Sequence, residues 1–445
     1  MQPKVGLLLV AAKFFWNKEV YSFQSLPQLI TSDVENIVNR LSGYMKIINT
    51  GIVTSVAEAV RAIEEFKKEK IELLIICPLM WSEDQPLIKV VNEVSEVPLI
   101  LWCYSPYKKL PSRMSVVDLF RGSGPVGTLQ ISGPLKRLKR KFYFVLGDTD
   151  EVIETISEYA EMTGLSRELK NSEIGLLLYR CEVMTDTYVD EFSLMKQIGP
   201  VVKYISVAEL LSASNEVKGS DVVTNLNDLK KRCQVCNVSK ESLYQAVKVS
   251  LGLARIVDIF NLDALAIDDI SEELHRMIGL RPCLYVSALR EKKVVVGMEA
   301  DISGTTALLI LSRLTGKPSM FAEIFNFDKG DNCILAGHAG LQNPELAKDS
   351  SQIKITPDYE YQGSSKYEGA WMQFIAKPGR VTLLQLVCGN NGFKMVIAGG
   401  EALESEEKVE GFPHIYIKID IPLNDFFAHM TKEGVTQHGL WFMVT

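Results

Sequence analysis

Val294-Val-Val-Gly-Met-Glu-Ala-Asp301, followed by Ile302-Ser-Gly-Thr305 and then Phe321-Ala-Glu-Ile324, reads as an apolar strand ending on an acid, a helix, and a second strand ending on an acid. A right-handed strand-helix-strand crossover makes its two strands parallel and sets their carboxyl ends on one sheet edge. With Val294 to Met298 as the first strand, Thr305 to Leu314 as the helix and Ser319 to Ala322 as the second strand, Glu299 and Glu323 fall on that edge. Neighbouring strands lie about 4.8 Å apart, so the two carboxylates can reach one ion. Open α/β sheets place their ligands at the same edge. Gly316 and Pro318 supply the helix stop. The helix begins among Ser303, Gly304 and Thr305, so its free amides favour an anionic group there.

Working outward, the first 110 residues alternate strand-like runs (Val5 to Ala12, Leu73 to Cys77, Leu99 to Cys103) with helical segments. Ser55-Val-Ala-Glu58 opens one helix with a capping-box pattern, and Val56, Ala59, Val60, Ile63 and Phe66 give it an apolar face. This is a doubly wound α/β unit. Ser105 to Arg140 is rich in Pro, Gly, Ser and basic residues, as suits a functional loop or a crossing between domains. A second alternating unit starts at Phe142-Tyr-Phe-Val-Leu146 and ends with the opening stretch. Beyond Asp328 the rhythm becomes β-type, with turns such as Asp328-Lys-Gly-Asp-Asn332 between runs. The expected domains are therefore 1–140, 141–327 and a β-rich 328–445.

A chain of 445 residues exceeds what one core usually supports. Its 47% apolar and 23% charged content is that of a folded protein, and a net charge of -7 argues against nucleic acid or an anionic membrane as partner. The first residues lack the pattern of a signal peptide, and no run approaches the length of a membrane span, so a cytoplasmic protein is expected. Eight scattered cysteines fit reduced thiols.

Five histidines are present. His338 lies between glycines at the end of an apolar run, and His438 follows a short helix between Asn424 and Gly434. Two carboxylates with one or two imidazoles suit manganese or another divalent ion. His429 and His414 read as structural, and His275 as part of a solvated helix face. Gly122-Ser-Gly-Pro-Val-Gly127 has the letters of a dinucleotide fingerprint without the strand that must precede it, and reads as a flexible site loop. Cys233-Gln-Val-Cys236 lacks a second pair at zinc-ribbon spacing.

Gly297-Met-Glu-Ala-Asp-Ile-Ser-Gly304, Leu308-Leu-Ile-Leu-Ser-Arg-Leu-Thr-Gly-Lys-Pro318, Ala322-Glu-Ile-Phe325 and Gly337-His-Ala-Gly340 resemble, in order and spacing, the metal-site region of the L-fucose and L-arabinose isomerase family. Gly122 to Gly133, Gly279-Leu-Arg-Pro-Cys283 and the terminal Gly434-Val-Thr-Gln-His438 add to the likeness. The resemblance implies two Rossmann-like domains, a β-rich C-terminal domain and a manganese-dependent aldose-ketose isomerase. It implies that Glu299 and Glu323 bind metal and move protons, that His438 completes the site, and that His338 matches the further histidine of the arabinose branch. It also implies a homo-oligomer whose site is completed by a neighbour, here through Gly122 to Gly133. Glu323 stands where the fucose branch has aspartate, which leaves the sugar open.

The chemistry fits the residues on its own terms. Moving a carbonyl from C1 to C2 of an open-chain sugar passes through an enediolate, whose charge a divalent ion stabilises while carboxylates carry the proton. A non-catalytic sugar sensor and an epimerase or lyase using the same enediolate are the rival readings.

Overall fold

The computed structural model describes residues 3–16, 23, 25–361, 365–390 and 392–444. The chain divides into two compact units, Met1–Ser166 and Arg167–Thr445.

In the first unit, β1 (Lys4–Val10), β2 (Lys46–Ile48), β3 (Ile52–Val53), β4 (Leu73–Pro78), β5 (Leu99–Tyr104) and β6 (Tyr143–Gly147) form a parallel sheet. Its order is β2-β1-β4-β5-β6, with β3 also against β1. Leu7 and Leu9 pack with Ile30, Ile75 and Trp102 on one face, while Leu8 and Val10 pack with Ile63, Phe66 and Ile76 on the other. Burial on both faces is why these strands read as continuous apolar runs. At the start of the helix Val56–Glu69, Ser55 accepts the Glu58 amide at 3.4 Å. Glu58 reaches back to the Thr54 amide at 2.7 Å, one residue further than a standard capping box. Ala59, Ile63 and Phe66 are buried, whereas Val56 and Val60 are exposed.

Two sequence expectations change in this unit. The run at Phe142 to Leu146 does not open a second sheet, because β6 hydrogen-bonds along its whole length to β5 and closes the edge of the first. Ser105 to Arg140 is largely helical, with helices at Val116–Arg121 and Gly124–Arg137. Pro125 sits in the first turn of the second helix, where an amide would have no partner in any case. Gly124 is pressed against the strand ends: a Cβ there would lie 2.2 Å from the Tyr104 carbonyl oxygen.

The second unit carries β7 (Glu173–Leu177), β8 (Val201–Ile205), β9 (Gln234–Val235), β10 (Ala264–Ile267) and β11 (Val295–Gly297). After them come β12 (Met320–Asp328), β13 (Cys333–Gly337), β14 (Lys354–Thr356), β15 (Trp371–Gln373), β16 (Gly379–Gly389), β17 (Gly392–Ala402), β18 (His414–Ile419) and β19 (His438–Val444). A parallel sheet runs β11-β10-β7-β8, and β15-β14-β9 make a small separate sheet. The remaining six strands close an antiparallel barrel in the order β12-β13-β18-β17-β16-β19. The protein is thus mixed α/β, with parallel sheets and a separate antiparallel region.

The expected crossover holds for its first two members only. The helix spans Ile302–Thr315 and ends on Gly316 at a φ of 66°. The second strand does not return beside β11: β12 pairs antiparallel with β13 and with β19, far along the chain. A strand-helix-strand rhythm does not name the partner of its last strand, and here barrel closure supplies one. Among the described residues no helix is long and apolar enough to cross a membrane. All eight cysteines are free thiols.

Sheet and helix meet closely where the site begins. A Cβ on Gly297 would lie 2.0 Å from Thr305 Oγ1 and 3.1 Å from its Cβ. Gly297→Ala should therefore destabilise the protein by about 1–3 kcal/mol in urea unfolding. Adding Thr305→Ala should restore part of the loss. An unchanged midpoint for Gly297→Ala would contradict this tight packing.

Candidate metal centre

Beyond β11 the chain makes a tight turn in which the Asp301 amide bonds the Met298 carbonyl at 3.1 Å and the Ala300 amide bonds Ile267 of β10 at 2.8 Å. Glu299 and Ala300 both adopt left-handed backbone, at φ 57° and 55°. For a residue with a Cβ this conformation costs about 1–2 kcal/mol, so surrounding contacts must hold it. One holds Glu299 directly: its amide donates to Asp269 Oδ1 at 2.7 Å.

The turn aims the Glu299 carboxylate at two histidines of the barrel. Glu299 Oε2 lies 2.8 Å from His438 Nε2, and Oε1 lies 3.7 Å from His338 Nε2. Ligand atoms of Glu299, His338 and His438 all fall within 4.8 Å of one another. The side chains are 12%, 3% and 0% exposed, respectively, so solvent has little access to them.

The second ring nitrogens show what the first are free to do. His338 Nδ1 sits 2.7 Å from the Ala339 carbonyl, which can only accept, so Nδ1 carries the proton. That leaves a lone pair on Nε2, which is buried without a hydrogen-bond partner. A buried orphan of this kind calls for a partner, and a metal cation is one. His438 Nδ1 lies 2.9 Å from Asp301 Oδ2, the carboxylate-histidine arrangement that orients a metal-ligating imidazole. The residues present fit a divalent ion with mixed oxygen and nitrogen ligands. Phe321 packs edge-on to His338 at 5.1 Å and tilted to His438 at 4.6 Å. Gly340, at φ 101°, admits Met298 where a Cβ would lie 2.4 Å from its Cε.

Burial pushes the Glu299 carboxyl up, but the His438 hydrogen bond and the charges of His438 and Arg281 outweigh it and hold it below the usual range. Burial opposes charge on His438, yet Asp301 and Glu299 raise its imidazolium to about 10. The field at this point therefore favours a positive charge.

Of the four sequence-derived ligands, the structure brings Glu299, His338 and His438 together and leaves Glu323 outside the trio. Glu323 stands directly across the strands from His438 and from Gly337. Opposed residues of an antiparallel pair share a face, so Glu323 and His438 face the same way as Phe321. Glu323 is half-buried and makes no side-chain hydrogen bond or ion pair among the described residues. Two of the helix amides expected to attract an anion are engaged: Asp301 Oδ1 accepts the Gly304 amide at 2.8 Å and the Asp301 carbonyl accepts the Thr305 amide at 2.9 Å. His414 is structural, as expected, with its Nδ1 2.8 Å from Phe412 O and its Nε2 accepting the Lys408 amide. His275 is buried rather than solvated, with Nε2 2.5 Å from the Asp269 carbonyl.

Sequence reasoning missed Asp301, Asp269 and Gln437, whose Nε2 donates to Glu299 Oε2 at 3.0 Å. Asp301 and Gln437 lie within two residues of a ligand, a proximity that could have flagged them.

No protein-family model matches the chain. Over 392 residues, 87% of this chain and 84% of the relative, it is 21% identical to a sulfoquinovose isomerase of Priestia aryabhattai. Over 372 residues, 82% and 80%, it is 21% identical to a sulfoquinovose isomerase of Alkalicoccus urumqiensis. Over 422 residues, 90% and 87%, it is 21% identical to an L-arabinose isomerase of Lactiplantibacillus plantarum. These distant relatives are sugar isomerases, which supports an arabinose- and fucose-isomerase-like family without singling out a member.

Next to the trio, burial and the charges of Asp269, Glu182 and Glu299 push Asp268 up to about 7. In the unfolded chain an aspartate ionises near about 3.9, so the folded protein holds an extra proton between these values. Its stability contribution is present below that window and lost as pH rises through it. Asp268→Asn should raise the Tm more at pH 8 than at pH 5. An increment independent of pH would remove this ionisation from the account.

Proposed function

We propose that the protein is a divalent-metal-dependent aldose-ketose isomerase of the arabinose- and fucose-isomerase-like family, acting on an open-chain sugar through an enediolate. The observation that carries this reading is the trio of Glu299, His338 and His438 with the partnerless His338 Nε2 aimed into it. The named relatives supply the reaction class.

Glu299, His338 and His438 would hold the ion, manganese being the proposed metal. When bound, such an ion supplies Lewis-acid stabilisation of the charge that develops on O1 and O2 of the sugar. The chain's own residues do the rest. His438 keeps its proton on Nδ1 against Asp301 and presents Nε2, and His338 does the same against the Ala339 carbonyl. Both imidazoles are thereby fixed in the tautomer that ligation needs. Proton transfer between C2 and C1 falls to the glutamates. Glu299 is held as a carboxylate by its histidine partners. Glu323 is the unencumbered carboxylate on the His438 face, and we assign it the proton that leaves carbon. Gln437, already donating to Glu299, is placed to meet a sugar hydroxyl beside it.

The reading includes a small sugar as the partner and an oligomeric assembly. It leaves the identity of the sugar to the lining of the pocket. Metal-stripped protein incubated with a panel of pentoses, hexoses and sulfonated hexoses should form ketose only when manganese or another divalent ion is restored. No ketose from any aldose would remove the isomerase reading and leave a sugar-binding role.

The residue assignments separate in the same assay. Glu299→Gln should lose both tight metal binding and turnover. Glu323→Gln should keep most of the metal affinity while turnover falls by about 10²–10⁴-fold, the usual worth of a positioned acid or base. Full activity in Glu323→Gln would take that residue out of the reaction.

A further inference from the structure

Behind the trio lies a buried ion pair that none of the ligand assignments uses. Asp269 has no exposed surface, and Arg281 keeps only 2%. The Asp269 carboxylate divides its work: Oδ1 accepts the Glu299 amide at 2.7 Å, while Oδ2 accepts from Arg281 Nε at 2.7 Å and lies 2.6 Å from Nη2. Its backbone carbonyl meets His275 Nε2. Arg281 is gripped in turn by a hydrogen bond to Glu360, by Asp358 at 3.9 Å, and by the rings of Tyr361 and Trp371 at 5.0 and 5.9 Å.

Buried ion pairs are weak stabilisers, since well-packed apolar replacements often serve as well. Stability alone therefore does not explain this one. What it adjoins does: the amide it grips belongs to a residue in left-handed backbone that carries a ligand carboxylate. Without an acceptor at that point the turn is free to relax toward right-handed backbone, which swings the carboxylate away from His338 and His438.

We infer that Asp269, clamped by Arg281, is a positioning residue that presets Glu299 for the metal ion, so that metal affinity depends on this buried pair. The inference rests on the metal-site reading above. An asparagine at 269 keeps the shape but offers one acceptor and one donor where both neighbours bring donors, so one of its two faces must fail. A lysine at 281 keeps the charge and loses the planar fork.

The test is manganese titration of the metal-stripped full-length protein by calorimetry, with circular dichroism and thermal unfolding alongside. Asp269→Asn should remain folded and bind manganese about 10–100-fold more weakly, the usual effect of removing an outer partner of a ligand. Arg281→Lys should fall between it and the parent. In both, turnover should recover when metal is raised to saturation, which separates weakened metal binding from damage to the chemistry. Parent-like affinity in the variants, with or without a lower Tm, would overturn the inference. If Asp269→Asn does not fold, Arg281→Lys decides on the same criterion. A parent that binds no divalent ion would instead overturn the metal-site reading itself.

Discussion

Asp301 is the carboxylate on which the arrangement of the centre depends. One of its oxygens accepts from Ser303 Oγ and from the Gly304 amide, starting the helix Ile302–Thr315, and the other faces His438 Nδ1 at 2.9 Å. The parallel sheet, the helix that follows it and the last strand of the barrel are thus joined through a single side chain with no exposed surface. An N-cap contributes about 0.5–2 kcal/mol to helix stability wherever it occurs. Here the same group also anchors the His438 ring through Nδ1, so helix geometry and the placing of that ring cannot vary independently.

The barrel supplies what the sheet lacks. Parallel strands deliver Glu299 at their carboxyl edge, but both histidines arrive on barrel strands or just beyond them, at the end of β13 and the start of β19. β12 lies between these two strands and pairs with each, and its Phe321 touches both rings. Register therefore does the positioning. A slip of one residue in β12 against β19 would turn Phe321 and Glu323 to the opposite face.

Much of this was legible in the sequence, and the failures have a common cause. Continuous apolar runs revealed the buried parallel strands, and Gly316 marked the end of the helix. Scarcity of histidine, with only five in the chain, made His338 and His438 stand out. What periodicity does not encode is pairing between strands distant in sequence. It placed Glu323 beside Glu299 on a shared sheet edge, whereas β12 had joined the barrel and set Glu323 opposite His438. For the same reason β6 was read as opening a second sheet when it completes the first. Asp269 had no local signal, because its role arises from a contact between the carboxyl ends of neighbouring strands, and Arg281 was visible only as part of Gly279-Leu-Arg-Pro-Cys283, with nothing to name its partner.

The charges around the centre argue for a cation independently of any relative. Asp268, Asp269, Asp301, Asp358 and Glu299 are gathered in one buried region, against Arg281 as the fixed positive charge among them. The protein relieves this excess in ways that can be read from the structure. Asp268 and Asp358 have raised pKa values, chiefly because burial disfavours their charged forms. His438 is raised to about 10 between Glu299 and Asp301, which places a positive charge where the two carboxylates converge. That proton is a poor match for the remaining geometry, since it serves the His438 side and leaves His338 Nε2 with no partner. A divalent ion in its place would meet Glu299 and both imidazoles at once and would supply a larger charge. The orphaned His338 nitrogen and the raised His438 imidazolium thus lie at one point, and a cation placed there would answer both.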